Sequence, residues 1–236
     1  MSSFELKSSA RKLMVENAPK LFFIGVLYII VVTIISEFQN RLLGTAAVYE
    51  QFLDRVSRGE IPGLATLFSN FKPTGAALAV VLYLMLPIID VGYMSYCIKI
   101  DRRQESDYKD LLDGFLFFGK ILLITIVTLV FTLLWSLLLI FPGIAALYRY
   151  RQAYYILLDD PSKTVMECIR ESKRLMAGNK LDLFLLDLSF AGWYIVNFTV
   201  MLLLPFPFPI ISVWLTPYIG LTRAGYYNKL IGRLAV

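Results

Sequence analysis

The stretch Pro142-Gly143-Ile144-Ala145-Ala146-Leu147-Tyr148-Arg149-Tyr150-Arg151-Gln152-Ala153-Tyr154-Tyr155 sets two arginines inside a run that otherwise reads as membrane. Asp159-Asp160-Pro161 follows, then a basic segment ending near Gly178. After it comes the apolar run Leu181 to Trp193, with Asp187 inside it. Whether residues 142–158 cross a bilayer or re-enter decides the topology of everything after them. An isolated arginine at mid-bilayer costs about 2.5–3.5 kcal/mol on insertion scales, which argues against a crossing. Charge asymmetry argues for one. If the segment crosses, Lys163, Arg170, Lys173, Arg174 and Lys180 share a side with the N-terminus and with Lys99 to Lys120. That is the cytoplasmic excess of cations expected of a membrane protein.

Composition agrees. Of 236 residues, 58% are hydrophobic and 17% charged, with mean hydropathy +0.66; soluble domains carry about 25% charged residues. The chain is read as one integral membrane domain, 1–236, all-α and polytopic. Its six transmembrane helices fall at about 20–37, 75–98, 120–141, 142–158, 181–204 and 210–230, each near the length that crosses about 30 Å of hydrocarbon. Both termini are then cytoplasmic. Residues 2–16 make an amphipathic helix: Ser2 and Glu5 have capping-box spacing, and Leu6, Ala10, Leu13 and Met14 share a face. The outer loop 37–74 has no net charge, since Arg41, Arg55, Arg58 and Lys72 balance Glu37, Glu50, Asp54 and Glu60. Within it Val48, Phe52, Leu53 and Val56 fit one face of a short interfacial helix. A basic cytoplasmic helix spans 161–177, with Asp160-Pro161 as its start signal and Gly178 as its stop. Pro205-Phe206-Pro207-Phe208-Pro209 reads as a stiff outer connector.

Self-similarity suggests three hairpins. Lysine opens an apolar helix at Lys20, Lys120 and Lys180. Each partner helix carries Pro-x-Ile at Pro87, Pro142 and Pro217, where the prolines are expected to kink it, and nine residues on come Tyr96, Arg151 and Tyr226.

Several chemistries lack their residues. There is no histidine, and Cys97 and Cys168 give neither a disulfide framework nor a metal spacing. No phosphate loop, nucleophile elbow, zinc motif or dinucleotide fingerprint occurs. The net charge of +5 comes without a nucleic-acid recognition motif and is read as affinity for anionic headgroups. No metal, cofactor or catalytic residue is expected. Asn197-Phe198-Thr199 is a formal glycosylation sequon but lies inside an expected span. The ionisable groups placed at membrane depth are Asp90, Arg149, Arg151 and Asp187, and such groups face the protein interior and pair. Arg149 with Asp187 is the preferred pair, because a guanidinium fork matches a carboxylate. Such a cluster serves as a salt bridge or as a ligand site; alternatively both arginines snorkel to the interface beside their tyrosines.

Pro142-Gly143-Ile144, Arg149-Tyr150, Tyr155-Ile156-Leu157, Asp159-Asp160-Pro161, Ser172 to Met176, Gly178-Asn179-Lys180, Leu186 to Trp193, Pro217-Tyr218 and Tyr226-Tyr227 together resemble domain-of-unknown-function family nine-seven-five. Leu6-Lys7, Ala10-Arg11 and Leu13 fit its usual opening. The resemblance implies a bacterial cytoplasmic-membrane protein and supplies no activity. The functional expectation is a non-enzymatic membrane component that binds or moves a lipid, peptide or small solute. An accessory or bilayer-sensing scaffold is the alternative, with a protein partner or a second copy of the chain possible; an intramembrane enzyme using Asp90 and Asp187 ranks third.

Overall fold

The computed structural model describes residues 3–60, 73–138, 140–203 and 210–232. Ser2 of the expected capping box and the connector 205–209 lie outside them, as do residues 61–72 of the outer loop. Among the described residues every regular element is helical. In chain order they are α1 (Ser3–Glu16), α2 (Lys20–Leu43), α3 (Thr45–Ser57) and α4 (Pro73–Asp101). A 3₁₀ turn (Tyr108–Leu112) leads into α5 (Asp113–Leu116). Then come α6 (Phe118–Leu138), α7 (Ile140–Tyr150), α8 (Ala153–Asp159), α9 (Val165–Leu175), α10 (Lys180–Leu188), α11 (Ala191–Leu203) and α12 (Ile210–Leu230).

Among the described residues four helical stretches are long and apolar enough to cross a membrane: Lys20–Leu43, Ala77–Asp101, Phe118–Leu137 and Lys180–Val200. Between 17% and 28% of each apolar window is buried, so most of this apolar surface faces outward. Leu133, Leu134, Leu137, Ile195 and Phe198 are among the exposed side chains.

Several boundaries differ from the sequence expectation, each for a local reason. The first helix continues past residue 37 to Leu43, because Glu37 and Arg41 pair at 3.2 Å one turn apart and extend the helix beyond its apolar part. Gly44 then ends it at φ 71°, a conformation that favours glycine. Residues 142–158 are two helices, α7 and α8, separated by a turn at Arg151-Gln152. The 181–204 run is likewise broken at Ser189-Phe190, between α10 and α11. The basic helix starts at Val165 rather than at Pro161. Thr164 and Glu167 form a reciprocal capping box, while Asp160 instead accepts from the backbone and hydroxyl of Ser162. These two donors hold the Asp160 carboxyl below its ordinary range. Pro87 and Pro217 sit inside α4 and α12. Pro142 does not act as a kink: it lies in the first turn of α7, where a missing N–H costs nothing.

Contacts divide the chain into two units, residues 30–87 on the one hand and 1–29 with 88–236 on the other. In the smaller unit Gln39 donates to the Ala79 carbonyl at 3.1 Å, and Gly75 admits the backbone of Leu42 where a β-carbon would overlap it. Helix α3 leaves Phe52 and Val56 exposed.

The larger unit holds most of the core and repeats one pattern three times. Leu21 and Ile24 of α2, Ile121 and Ile124 of α6, and Leu183 and Leu186 of α10 are each at most 1% exposed. Before the first and third pairs, Asn17 and Asn179 cap the carbonyls of Leu13 and Leu175, both at 2.9 Å. In this register the counterpart of Lys20 and Lys120 is Asp182, so the lysine motif at Lys180 is offset by two residues. The return helices α4, α7–α8 and α12 bury Ile88, Val91 and Tyr96, then Ala146, Ala153 and Leu157, and then Leu221, Ala224 and Tyr227.

Lys20 donates to the Ser106 carbonyl, in the loop after α4. Lys120 donates to the carbonyls of Pro161 and Lys163, in the loop after α8, at 2.5 and 2.9 Å. The opening lysine of each of these hairpins thus closes the loop leaving its return helix. An amphipathic element packs on each return helix as well. Gly92 and Gly114 let α4 and the 3₁₀–α5 segment meet backbone to backbone, each lying where a β-carbon would overlap a carbonyl of the other segment. Ser172 of α9 donates to the Arg149 carbonyl at 2.9 Å. Helix α1 lies on α12, burying Leu6, Ala10, Leu13 and Met14 as its periodicity predicts.

Candidate functional site

Both helix breaks in the larger unit carry charge. Arg151 stands in the turn between α7 and α8, and Asp187 stands two residues before the turn between α10 and α11. The Arg151 Nη1 donates to Asp187 Oδ2 at 2.7 Å. The other carboxylate oxygen, Oδ1, accepts from Arg223 of α12 through Nη2 at 3.0 Å and Nε at 3.2 Å. Two cations from different helices therefore share one acid. Asp187 has a side-chain exposure of 14%, whereas Arg151 and Arg223 keep 35% and 31%, and the Arg151 guanidinium also lies 5.7 Å from the centroid of the Tyr148 ring. Asp187 lies seven residues into α10, and Arg223 seven residues from the end of α12. Each is about 10 Å from its helix end at 1.5 Å per residue.

The expected residues divide as follows. Arg151 and Asp187 come together. Arg149 does not pair with Asp187: its guanidinium lies over the Trp135 ring, 5.6 Å from the centroid. Two positions separate the arginines, and at helical spacing that turns them to different faces. Asp90 accepts from the Tyr28 hydroxyl at 2.6 Å, and Tyr28 stacks on Tyr93 with ring centroids 4.4 Å apart. Arg223 itself was not anticipated. Its signal was available, since it is a cation in the interior of the expected sixth span, where any ionisable residue is a functional candidate.

The three-fold register separates what the architecture needs from what this centre adds. Counting from the prolines, Arg223 occupies the position of Tyr93 and Tyr148, and Arg151 that of Tyr96 and Tyr226. Counting from the buried pairs, Asp187 occupies the position of Gly25 and Thr125. A β-carbon at Gly25 would lie at ordinary contact distance from Pro217, and Thr125 shares a hydrogen bond with the Tyr154 hydroxyl at 2.9 Å. The fold closes with uncharged residues at the sibling positions.

A second network fastens the ends of the return helices. Arg102 grips Asp159 with two hydrogen bonds of 2.5 and 3.0 Å and donates Nε to Asn228 at 2.9 Å. Asn228 in turn donates to Asp101 at 2.6 Å, and the Tyr227 hydroxyl donates to Asp159 at 2.8 Å. Asp159-Asp160 is therefore no paired-carboxylate site, because its two acids serve different loops.

The expected basic surface is mixed. Lys163 is bound to Glu171 at 2.6 Å. With Ser162, Glu167, Arg170 and Arg174 these two residues line an open groove of about 580 Å³. Arg170, Lys173 and Arg174 are exposed, and Lys180 is half-buried. Cys168 is fully buried, and burial pushes its thiol up from the ordinary value. Among the described residues no group of His, Cys, Asp and Glu could hold a metal ion.

No curated protein and no solved structure matches the chain. Residues 137–233, which carry α7 to α12 and with them Arg151, Asp187 and Arg223, match the model of the family described as "Protein of unknown function (DUF975)".

Proposed function

We propose that this is a six-span protein of the bacterial cytoplasmic membrane, non-enzymatic, whose Arg151–Asp187–Arg223 centre binds a phosphate-bearing anion. The observation behind this reading is the two-to-one ratio of arginine to carboxylate, with both arginine side chains about a third exposed. A guanidinium presents paired donors that match phosphate geometry. Asp187 orients both forks and leaves one net positive charge at the centre. In the six-span topology both termini are cytoplasmic, α7–α8 forms the fourth crossing, and the centre lies in the inner half of the bilayer. The phosphate then belongs to an inner-leaflet lipid or to a small solute entering from the cytoplasm. Both carboxylates at this depth are held by donors, Asp90 by Tyr28 and Asp187 by the arginines, which favours binding over acid–base chemistry. The scaffold reading draws its support from α3, whose Phe52 and Val56 stand exposed.

Native mass spectrometry tests the site, with phosphatidylglycerol in one arm and inorganic phosphate in the other. The wild type should retain one of the two ligands. Arg151→Gln and Arg223→Gln should each weaken retention at least tenfold, the loss of about 1.4 kcal/mol from one charge-assisted contact. Arg149→Ala should leave retention intact. Equal retention by all four proteins overturns the site. Cys168 is buried, so topology is probed at an exposed position. Lys173→Cys in a background of Cys97→Ala and Cys168→Ala should react with an impermeant maleimide in inverted vesicles and stay unlabelled in intact cells; labelling in intact cells overturns the six-span arrangement.

A further inference from the structure

Each helix break that presents a charged residue of the centre is held by a side chain from an amphipathic surface helix. At the first break the Ser172 hydroxyl of α9 donates to the Arg149 carbonyl at 2.9 Å and accepts from the Gln152 N–H at 3.2 Å. Ser172 thereby spans Arg151 from both sides and is itself fully buried. At the second break the Lys7 ammonium of α1 donates to the Ser189 carbonyl at 3.1 Å and lies 4.1 Å from the centroid of the Phe190 ring. Ser189 and Phe190 are the turn that follows Asp187, and Phe190 is buried against Tyr218 with ring centroids 5.2 Å apart. The opposite faces of the two surface helices carry exposed cations, Arg11 and Lys12 on α1 and Arg170, Lys173 and Arg174 on α9. Those faces are suited to anionic headgroups.

We infer that Ser172 and Lys7 are positioning residues: they tie the seating of α9 and α1 on the inner surface to the geometry of the Arg151–Asp187–Arg223 centre, so that the surface helices regulate anion binding. This regulation rests on the anion-centre reading above. It has a physical basis in that a turn inside a membrane helix frees backbone groups that another side chain must satisfy. Removing that side chain lets the turn open without touching the arginines or Asp187.

The experiment compares the full-length wild type with Lys7→Met, Lys7→Arg, Ser172→Ala and Ser172→Thr in phosphatidylcholine nanodiscs, with and without phosphatidylglycerol. Amide hydrogen exchange and phosphate-ligand retention are read on the same samples. Lys7→Met should accelerate exchange at residues 188–194, and Ser172→Ala at residues 149–156, by about tenfold as local opening becomes easier. Exchange in α6 should stay unchanged in both. Both variants should also bind the phosphate ligand at least about fivefold more weakly, the low end of ordinary site-to-site coupling. Lys7→Arg and Ser172→Thr, which keep the donors, should behave as wild type. Unchanged exchange at the breaks overturns the positioning roles whatever happens to binding. Faster exchange with undiminished ligand retention overturns the regulation. A wild type that retains no phosphate ligand overturns the anion-centre reading and the regulation with it, while the exchange results still decide separately whether Lys7 and Ser172 hold the breaks.

Discussion

Asp187→Ala should lower stability in detergent by about 3 kcal/mol, because it leaves Arg151 and Arg223 facing each other with no acid between them. Breaking one partner of a buried ion pair costs about 3–5 kcal/mol, and the partial exposure of both arginines, 35% and 31%, places the loss at the lower end. The informative comparison is the triple substitution Arg151→Tyr, Asp187→Thr and Arg223→Tyr, which installs residues found at the sibling positions of the other hairpins. Replacing a whole buried charged group by residues of suitable volume is often neutral or stabilising, so the triple variant should recover most of the 3 kcal/mol while losing the anion. Denaturant melts of the three proteins, followed by helical circular dichroism, decide the matter. A triple variant as unstable as Asp187→Ala would mean that the charges are architectural. A stable triple variant that still retains the ligand would place binding elsewhere.

The second large effect belongs to the clamp at the ends of the return helices. Asp159→Ala removes the acceptor for both Arg102 hydrogen bonds and for the Tyr227 hydroxyl at once. The side chains of Arg102 and Asp159 are 16% and 14% exposed, so water replaces little of the loss. A cost of about 3–4 kcal/mol follows from an unpaired, largely buried guanidinium with an orphaned hydroxyl beside it. Since Asn228 joins Arg102 and Asp101 within the same network, Asn228→Leu should mimic the change on a smaller scale, at about 2 kcal/mol. Melting of the two single variants and the double checks the coupling. Strict additivity would show that Asp159 and Asn228 act separately rather than through Arg102.

Much of the architecture was legible because it rests on period and length. The buried face of α1, the four long apolar helices and the glycine stop at residue 178 all come from local rules of burial and backbone freedom. What escaped had non-local causes. Asp160-Pro161 carries a strong start signal, yet Thr164 and Glu167 satisfy each other and win by forming two reciprocal bonds. Arg149 and Arg151 are indistinguishable as residues. The turn at Arg151-Gln152 decides which one reaches Asp187, and that turn depends on Ser172, some twenty residues further on. Arg223 was visible as a charge in an apolar run but had no partner within reach along the chain. The Arg102–Asp159–Asn228 clamp joins positions up to 126 residues apart, which no window of sequence contains.

The docking of α1 on α12 has a consequence for how the chain is made. The 3₁₀–α5 segment and α9 cover return helices synthesised just before them, so their contacts close as the chain emerges. Helix α1 is made long before its partner α12. Until then Leu6, Ala10, Leu13 and Met14 lack the helix on which they mainly pack, and the lipid interface is the natural place for that face to wait. Docking of α1 therefore waits for synthesis of α12, and a nascent chain stalled before residue 210 should carry α1 in a protease-accessible state that the longer chain lacks.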